Sequence, residues 1–197
     1  MSRILPFCLL VVLTACGTTA SSSAATTADV AADSAVDIAT ADASPDVAAT
    51  GTDFNAQASD FTCIQKGTKI RNFYLTNPLG NLDAAVAVAN NAAGGQYPVG
   101  TIIQLIPNEA MVKRFKGFSA TSDDWEFFSL STSASGTQIL QRGTTAVVNQ
   151  FGGNCFDCHS KADAKFDLIC EETHGCAPLP FTADTIAAVQ SADPRCP

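Results

Sequence analysis

The stretch Trp125-Glu126-Phe127-Phe128-Ser129-Leu130 gives the clearest indication of the fold in this chain. It is short and rich in aromatic residues, which is typical of a β-strand. Because successive side chains of a strand point to opposite faces, Trp125 and Phe127 share one face, and Phe128 and Leu130 share the other. The stretch therefore predicts a strand with apolar side chains on both faces of its sheet.

Several neighbouring segments resemble this one, and short helices are predicted between them. The predicted strands are 68–75, 101–106, 138–140 and 144–148, the last two joined by a turn at Arg142-Gly143. The predicted helices are 82–90, 154–164 and 183–191, the first and last capped by Asn81 and Thr182. The segments before residue 154 lack the amphipathic helical period of a bundle. We therefore expect a mainly β (α+β) domain: an antiparallel sheet with a few short helices.

The sequence Cys155-Phe156-Asp157-Cys158-His159 fits C-x-x-C-H, the attachment sequence of c-type haem. Two thiols three residues apart on a helical turn can reach both vinyl groups of a single haem. The adjacent His159 is then placed to be the proximal iron ligand. The alternatives are a disulfide, a redox pair or half of a zinc site, although the sequence has no second close Cys/His pair of that spacing. We predict one covalent haem c, attached through Cys155 and Cys158, with His159 as the metal ligand.

Residues 1–15 have the features of a bacterial lipoprotein signal peptide. Arg3 is followed by an apolar run, 4–13, that is too short to span a bilayer as a helix. Leu13-Thr14-Ala15-Cys16 resembles a lipobox, which makes Cys16 the predicted lipidation site; the alternative is an ordinary secretory signal with a chance cysteine. Several acyl chains on one residue anchor a protein stably. We expect a lipid-anchored protein of the cell envelope, facing the periplasm or attached to the outer membrane.

The composition after Cys16 predicts a disordered tether, 16–60, before one folded domain, 61–197. Residues 17–60 contain 14 Ala, 7 Asp, 7 Thr and 6 Ser, with no Lys, Arg or Glu. Such a stretch buries too little apolar area to offset its conformational entropy. Its seven aspartates supply −7 of the formal net charge of −8, so the acidity belongs to the tether. The chain has no basic stripe that would indicate nucleic acid as a partner.

Four further cysteines remain for the folded domain: Cys63, Cys170, Cys176 and Cys196. An even number of cysteines in an oxidising compartment predicts two disulfides, for which three pairings exist. We expect Cys170 to pair with Cys176, closing a small loop. Cys63 would then pair with Cys196 and join the two ends of the domain.

Three features together resemble the cytochrome P-460 family and the related β-sheet cytochromes c-prime. They are Tyr97-Pro98-Val99-Gly100-Thr101 leading into a strand, the strand that begins at Trp125, and a haem motif late in the chain. The resemblance covers roughly residues 97–160. It implies an antiparallel β-sheet domain that often forms a homodimer. It also implies a five-coordinate iron held by His159, with an apolar distal face open to ligands such as nitric oxide.

Some members of that family oxidise hydroxylamine with a haem that is cross-linked to a lysine. The segment 101–106, where we would look for this lysine, contains Gln104 and no lysine. The missing lysine argues against the cross-link and therefore against hydroxylamine oxidation. Whether the protein is an oxidoreductase acting on hydroxylamine or nitric oxide is left open by the sequence. The segment 168–197 is not part of the family pattern.

Other residues are candidates for contact with the haem or for proton transfer near it. Aromatic side chains could line the cavity or form ordinary core, namely Trp125, Phe127, Phe128 and Phe151. Basic side chains could pair with the haem propionates or lie on the surface, namely Arg114, Lys113 and Arg142. Either Glu109 or Glu126 could serve as a distal proton relay.

The sixth coordination position of the iron decides the function. An open position permits ligand binding or chemistry, whereas a filled one favours electron transfer. We expect an open site in a membrane-anchored monohaem cytochrome that binds or redox-processes a small nitrogenous ligand and exchanges electrons with a partner protein. The alternative is an electron-transfer cytochrome with Met111 or His174 as sixth ligand. A third reading is a disulfide-rich lipoprotein without haem.

Overall fold

The fold is a six-stranded antiparallel sheet with a few short helices, as the sequence predicted. The computed structural model describes residues 52–197; the predicted signal peptide, Cys16 and most of the predicted tether lie outside them. Each strand pairs with the next along the chain, in the order β1 to β6. The strands are β1 Thr68–Ile70, β2 Phe73–Thr76, β3 Ile102–Gln104, β4 Glu109–Lys113, β5 Trp125–Ser133 and β6 Gly136–Gly143. The α-helices are α1 Leu82–Ala89, α2 Cys155–His159 and α3 Ala183–Ser191.

The sheet has an apolar core on each face, as the alternation in β5 predicted. Trp125 and Phe127 belong to one core, which also receives α1 and the segments around residues 147, 155 and 168. Phe128 and Leu130 belong to the second core, which is covered by Ala56 and Phe61. We call these the helix-side face and the N-terminal face of the sheet.

The predicted tether is too long at its C-terminal end. Ala56 is fully buried in the second core, and Phe54 packs against it. Asp53 lies 2.6 Å from Arg114 in a salt bridge. Residues 53–60 therefore belong to the folded domain, because they carry the apolar side chains that cover the N-terminal face.

Several predicted elements have different boundaries. The strand predicted over 68–75 is a hairpin, β1 and β2, because Arg71 adopts a left-handed conformation with φ 48°. The turn predicted at Arg142-Gly143 belongs to β6, and 144–148 is not a strand; Val148 makes only an isolated bridge with Asn154. Helix α2 ends at His159, five residues before the predicted end. Strand β4 was not predicted.

Two disulfides join the predicted pairs of cysteines. Cys63 bonds to Cys196 across 133 residues, and Cys170 bonds to Cys176 across 6. The long link ties the start of the domain to the segment after α3. There, Asp193 accepts a hydrogen bond from the Ile64 amide at 2.9 Å. Among residues 52–197, no helix has the length and apolar character needed to cross a membrane.

Candidate functional site

The motif Cys155–His159 forms a single helical turn, α2, against the helix-side face of the sheet. Asn154 begins the helix, and its side chain accepts a hydrogen bond from the Asp157 amide at 3.0 Å. An asparagine at this position satisfies an amide that has no partner within the helix. Cys155 is half-buried against the core, and Cys158 is exposed. They are the only unpaired cysteines among residues 52–197.

A backbone carbonyl orients the His159 imidazole. Its Nδ1 lies 2.7 Å from the carbonyl oxygen of Leu168. A carbonyl only accepts hydrogen bonds, so Nδ1 carries the proton and Nε2 keeps its lone pair. Burial lowers the pKa of His159 and so favours the neutral ring. The hydrogen bond to the Leu168 carbonyl raises the pKa, but its effect is smaller. Metal-bound histidines commonly donate their other ring N–H to a carbonyl in this way.

A buried ion pair fixes the segment that holds His159. Asp167 is fully buried, and its carboxylate lies 2.6 Å from Lys113 Nζ and accepts the Tyr97 amide at 2.8 Å. Its backbone carbonyl accepts the Trp125 indole N–H at 2.8 Å. Asp167 and Leu168 both have positive φ, 52° and 60°. These contacts hold the chain in a turn that aims the Leu168 carbonyl at His159.

Of the four aromatic residues that could line the cavity, Phe127 and Trp125 lie on the side of the sheet that contacts the motif. The Phe127 ring lies 5.2 Å from the His159 ring, between centroids. Trp125 is fully buried and donates to Asp167, so it acts on His159 through the backbone. Of the other two aromatic candidates, Phe128 lies in the core of the N-terminal face and Phe151 is exposed.

Arg114, the predicted propionate contact, is paired with carboxylates of the protein itself. Arg114 follows β4 and lies beside Glu126 and Asp53, with which it forms salt bridges. Glu126 neighbours Phe128 on β5 and also binds Arg142 at 2.6 Å. This network lies with the residues of the N-terminal face, whereas His159 contacts the helix-side face. The guanidinium of Arg114 is therefore paired away from the motif.

The two candidates for a sixth ligand are both buried but differ in their surroundings. Met111 is paired with Phe127 across β4 and β5 and belongs to the core that contacts Cys155. His174 stacks on Phe166 with ring centroids 3.7 Å apart, and its Nδ1 lies 2.8 Å from the Ile169 carbonyl. His174 is 9% exposed.

No family model, curated protein or solved structure matches this chain. The function must therefore be argued from the site itself.

A haem needs donors and an apolar surface to lie against, and the residues around α2 supply both. Beside the helix, Phe151 and Phe181 are 60% and 42% exposed, with ring centroids 5.2 Å apart. Val148, which bridges to Asn154 at the start of α2, is 41% exposed. Two small cavities elsewhere in the domain, of about 10 and 20 Å³, are not lined by the motif. The donor set, two thiols and an oriented imidazole, fits haem c.

The structure adds positioning residues that the sequence did not reveal. Asp167 is the one charged residue in the otherwise apolar run Phe166-Asp167-Leu168-Ile169. A charged residue among apolar neighbours was the sequence feature that could have indicated a buried carboxylate. The ligand atoms of Cys63, Asp193 and Cys196 lie within 4.8 Å of one another, as in a metal site. The two sulfurs are joined in a disulfide, so they offer no thiolate to a metal.

Glu109 is a half-buried carboxylate, and one of its two oxygens is enclosed by the protein. Its Oε1 is buried and has no hydrogen-bond partner. Burial raises the pKa of Glu109 to about 7. Burial also raises the pKa of the Cys155 thiol to about 11, and the charge of Glu109 adds to this effect. Glu109 therefore lies near the motif and can exchange a proton close to neutral pH.

Replacing Glu109 with glutamine is expected to change the pH dependence of stability. The folded protein keeps a proton that the unfolded chain loses above about pH 4.5, so ionisation of Glu109 destabilises the fold as the pH rises towards 7. The Glu109→Gln variant should melt at a higher temperature than the wild type at pH 8 and at the same temperature at pH 4. Glu126→Gln is the control. It should lower the melting temperature at pH 8, since it weakens the pairing of Arg114 and Arg142.

Proposed function

We propose that this chain is a monohaem c-type cytochrome with a β-sheet domain of the cytochrome P-460 kind. Cys155 and Cys158 attach the haem, and His159 binds its iron. The sixth position of the iron is proposed to stay open to a small nitrogenous ligand such as nitric oxide. Hydroxylamine remains a less favoured substrate, because Gln104 on β3 donates to the Pro107 and Glu109 carbonyls and β3 has no lysine.

One observation carries this proposal: His159 donates from Nδ1 to Leu168 beside two unpaired thiols. Four of the six cysteines in residues 52–197 are paired, and the two that remain are those of the motif. The thiols stand three residues apart on a capped helical turn, as attachment to a single haem requires.

Each residue of the site has a defined task in this proposal. When bound, the haem supplies an iron that can hold a small ligand or accept and release an electron. His159 presents Nε2 to the iron, and Leu168 keeps the ring in the correct tautomer. Phe127 and Met111 exclude water from the sheet side of the imidazole. Glu109 can give or take a proton at Oε1, since its pKa lies near 7.

Met111 favours a second candidate function, a plain electron-transfer cytochrome. It lies directly across from Phe127, whose ring contacts His159. As the sixth ligand, its thioether would raise the potential of the iron. His174 has less support in this role, because it packs against Phe166 and lines a cavity with Tyr97 and Val88.

The proposed cellular setting follows from the N-terminal sequence. Lipidation at Cys16 would anchor the domain in the cell envelope, facing the periplasm or on the outer membrane. Its proposed partners are a redox protein, the membrane surface through the anchor, and a second copy of the chain.

Haem attachment is tested by producing the full chain together with a cytochrome c maturation system. A denaturing gel stained for haem should show a positive band for the wild type. The Cys155→Ser/Cys158→Ser double variant should lose the band, whereas Cys170→Ser/Cys176→Ser should keep it. A wild-type protein that folds without covalent haem would overturn the proposal in favour of a disulfide-rich lipoprotein.

Replacing Met111 with leucine distinguishes the two haem functions. Leucine keeps the side-chain volume and removes the sulfur, so packing changes little. We expect the wild type to give a high-spin spectrum that changes on adding nitric oxide, and the variant to give the same spectrum. A low-spin wild type that becomes high-spin in Met111→Leu would identify Met111 as the sixth ligand. The same change in His174→Gln would identify His174.

A further inference from the structure

A third cysteine lies beside the motif. Cys158 Sγ is 4.0 Å from Cys170 Sγ, and Cys170 Sγ is 3.2 Å from the Cys158 carbonyl oxygen. Cys158 is exposed and unpaired, whereas Cys170 is bonded to Cys176. A free thiol therefore lies within van der Waals distance of a disulfide sulfur.

We propose that Cys158 and the Cys170–Cys176 disulfide form a thiol–disulfide exchange centre. The Cys158 sulfur, as its thiolate, attacks Cys170 Sγ and forms a Cys158–Cys170 bond. The Cys170–Cys176 bond breaks, and its electron pair leaves with Cys176, which takes up the proton that Cys158 gave to water. The number of disulfides and the oxidation state do not change, so the step needs no oxidant or reductant.

The surrounding structure permits the exchange without large motion. The segments that carry Cys158 and Cys170 are already held together by a hydrogen bond from His159 Nδ1 to the Leu168 carbonyl oxygen. Cys176 is 8% exposed, so its released thiol would remain inside the domain, close enough to reverse the step. The chain therefore has two isomers with the same number of disulfides.

The two isomers differ in what the motif can do. With Cys170 bonded to Cys176, both motif thiols are free. With Cys158 bonded to Cys170, only Cys155 is free, and two thioether bonds cannot form. This consequence rests on the proposed haem attachment, whereas the exchange itself does not. In that setting the exchange would set the fraction of protein that is competent for attachment.

Peptide mapping of the full chain made without haem tests the exchange directly. The protein is incubated with a catalytic amount of a small thiol, and free thiols are then alkylated before trypsin is added. Cleavage after Arg142, Lys161, Lys165 and Arg195 gives separate peptides 143–161 and 166–195. Exchange links these two peptides through Cys158 and Cys170, whereas the starting isomer leaves them unlinked.

Replacing Cys176 with serine should trap the exchanged isomer. Cys170 then has Cys158 as its neighbouring thiol, and glutathione disulfide should link peptides 143–161 and 166–195 in most molecules. We expect at least tenfold more Cys158–Cys170 linkage than in the wild type. The matched control Cys155→Ser should form as much Cys158–Cys170 linkage as the wild type. The Cys158→Ser variant should show no link between the two peptides.

The outcomes separate the exchange from the proposed function. Absence of the link in both the wild type and Cys176→Ser would overturn the exchange, as would a link made through Cys155. Haem stain on matured Cys176→Ser should fall at least fivefold, while Cys170→Ser/Cys176→Ser keeps it. A Cys158–Cys170 link in a protein that never acquires haem would support the exchange and overturn only the haem proposal.

Discussion

Replacing Asp167 with alanine is expected to destabilise the domain by about 3–5 kcal/mol. It removes the carboxylate that neutralises the buried Lys113 ammonium, which keeps only the Asp123 carbonyl and the Gln96 side chain as acceptors. The Lys113 and Asp167 side chains are 7% and 0% exposed, and their Nζ and Oδ1 atoms lie 2.6 Å apart. The substitution also removes the acceptor of the Tyr97 amide. Denaturant unfolding followed by circular dichroism measures the loss. In the haem-loaded protein, the optical spectrum should change as well, since Asp167 sets the turn that orients His159.

A variant that removes both charges provides the control for this prediction. Lys113→Met combined with Asp167→Asn keeps an acceptor for the Tyr97 amide and leaves no unpaired ion. It should regain most of the stability that Asp167→Ala loses. A loss below about 1 kcal/mol in Asp167→Ala would contradict the view that this pair holds the His159 segment in place. An unchanged haem spectrum in Asp167→Ala would limit the pair to a structural role.

Strands and helices with a local signal were predictable from the sequence. In β5, large apolar side chains occupy both faces, and period-two alternation alone assigns Trp125 and Phe127 to one core and Phe128 to the other. Helix α3 begins at Thr182, whose hydroxyl accepts the Thr185 amide at 3.2 Å, as its residue type predicted. These features depend on neighbours within a few residues.

The features that were missed depend on contacts far along the chain. Strand β4 ends in Lys113, and a lysine is normally expected on the surface. Lys113 is buried because it pairs with Asp167, which lies 54 positions later in the chain. Residues 53–60 have the composition of the tether, yet Phe54 and Ala56 cover the N-terminal face. The burial of these residues depends on partners far along the chain, and local sequence patterns do not indicate such partners.

The candidate site shows the same division. The motif cysteines and His159 are visible as a pattern, because they match C-x-x-C-H, the attachment sequence of c-type haem. The partner of His159 is a backbone carbonyl, which any residue at position 168 would supply, so no side chain signals it. The proximity of Cys158 to Cys170 likewise arises only when α2 and the following turn are folded together.

Removing the Cys63–Cys196 disulfide is expected to have a comparably large effect on stability. A link that closes 133 residues restricts the unfolded chain strongly, and the chain-entropy relation gives about 5 kcal/mol for a loop of this length. The same relation gives about 2 kcal/mol for the 6-residue loop of Cys170–Cys176. Denaturant unfolding of Cys63→Ser/Cys196→Ser and of Cys170→Ser/Cys176→Ser should therefore show a clearly larger loss for the first pair.

The native contacts around this disulfide do not reduce the expected loss. Asp193 accepts the Ile64 amide at 2.9 Å, and Arg195 donates to the Phe61 carbonyl at 2.9 Å, so the ends stay together in the folded state. The entropy, however, is gained by the unfolded chain, in which these contacts are absent. Equal losses for the two pairs would contradict the loop-length argument and would indicate that strain or residual structure in the unfolded chain decides the outcome.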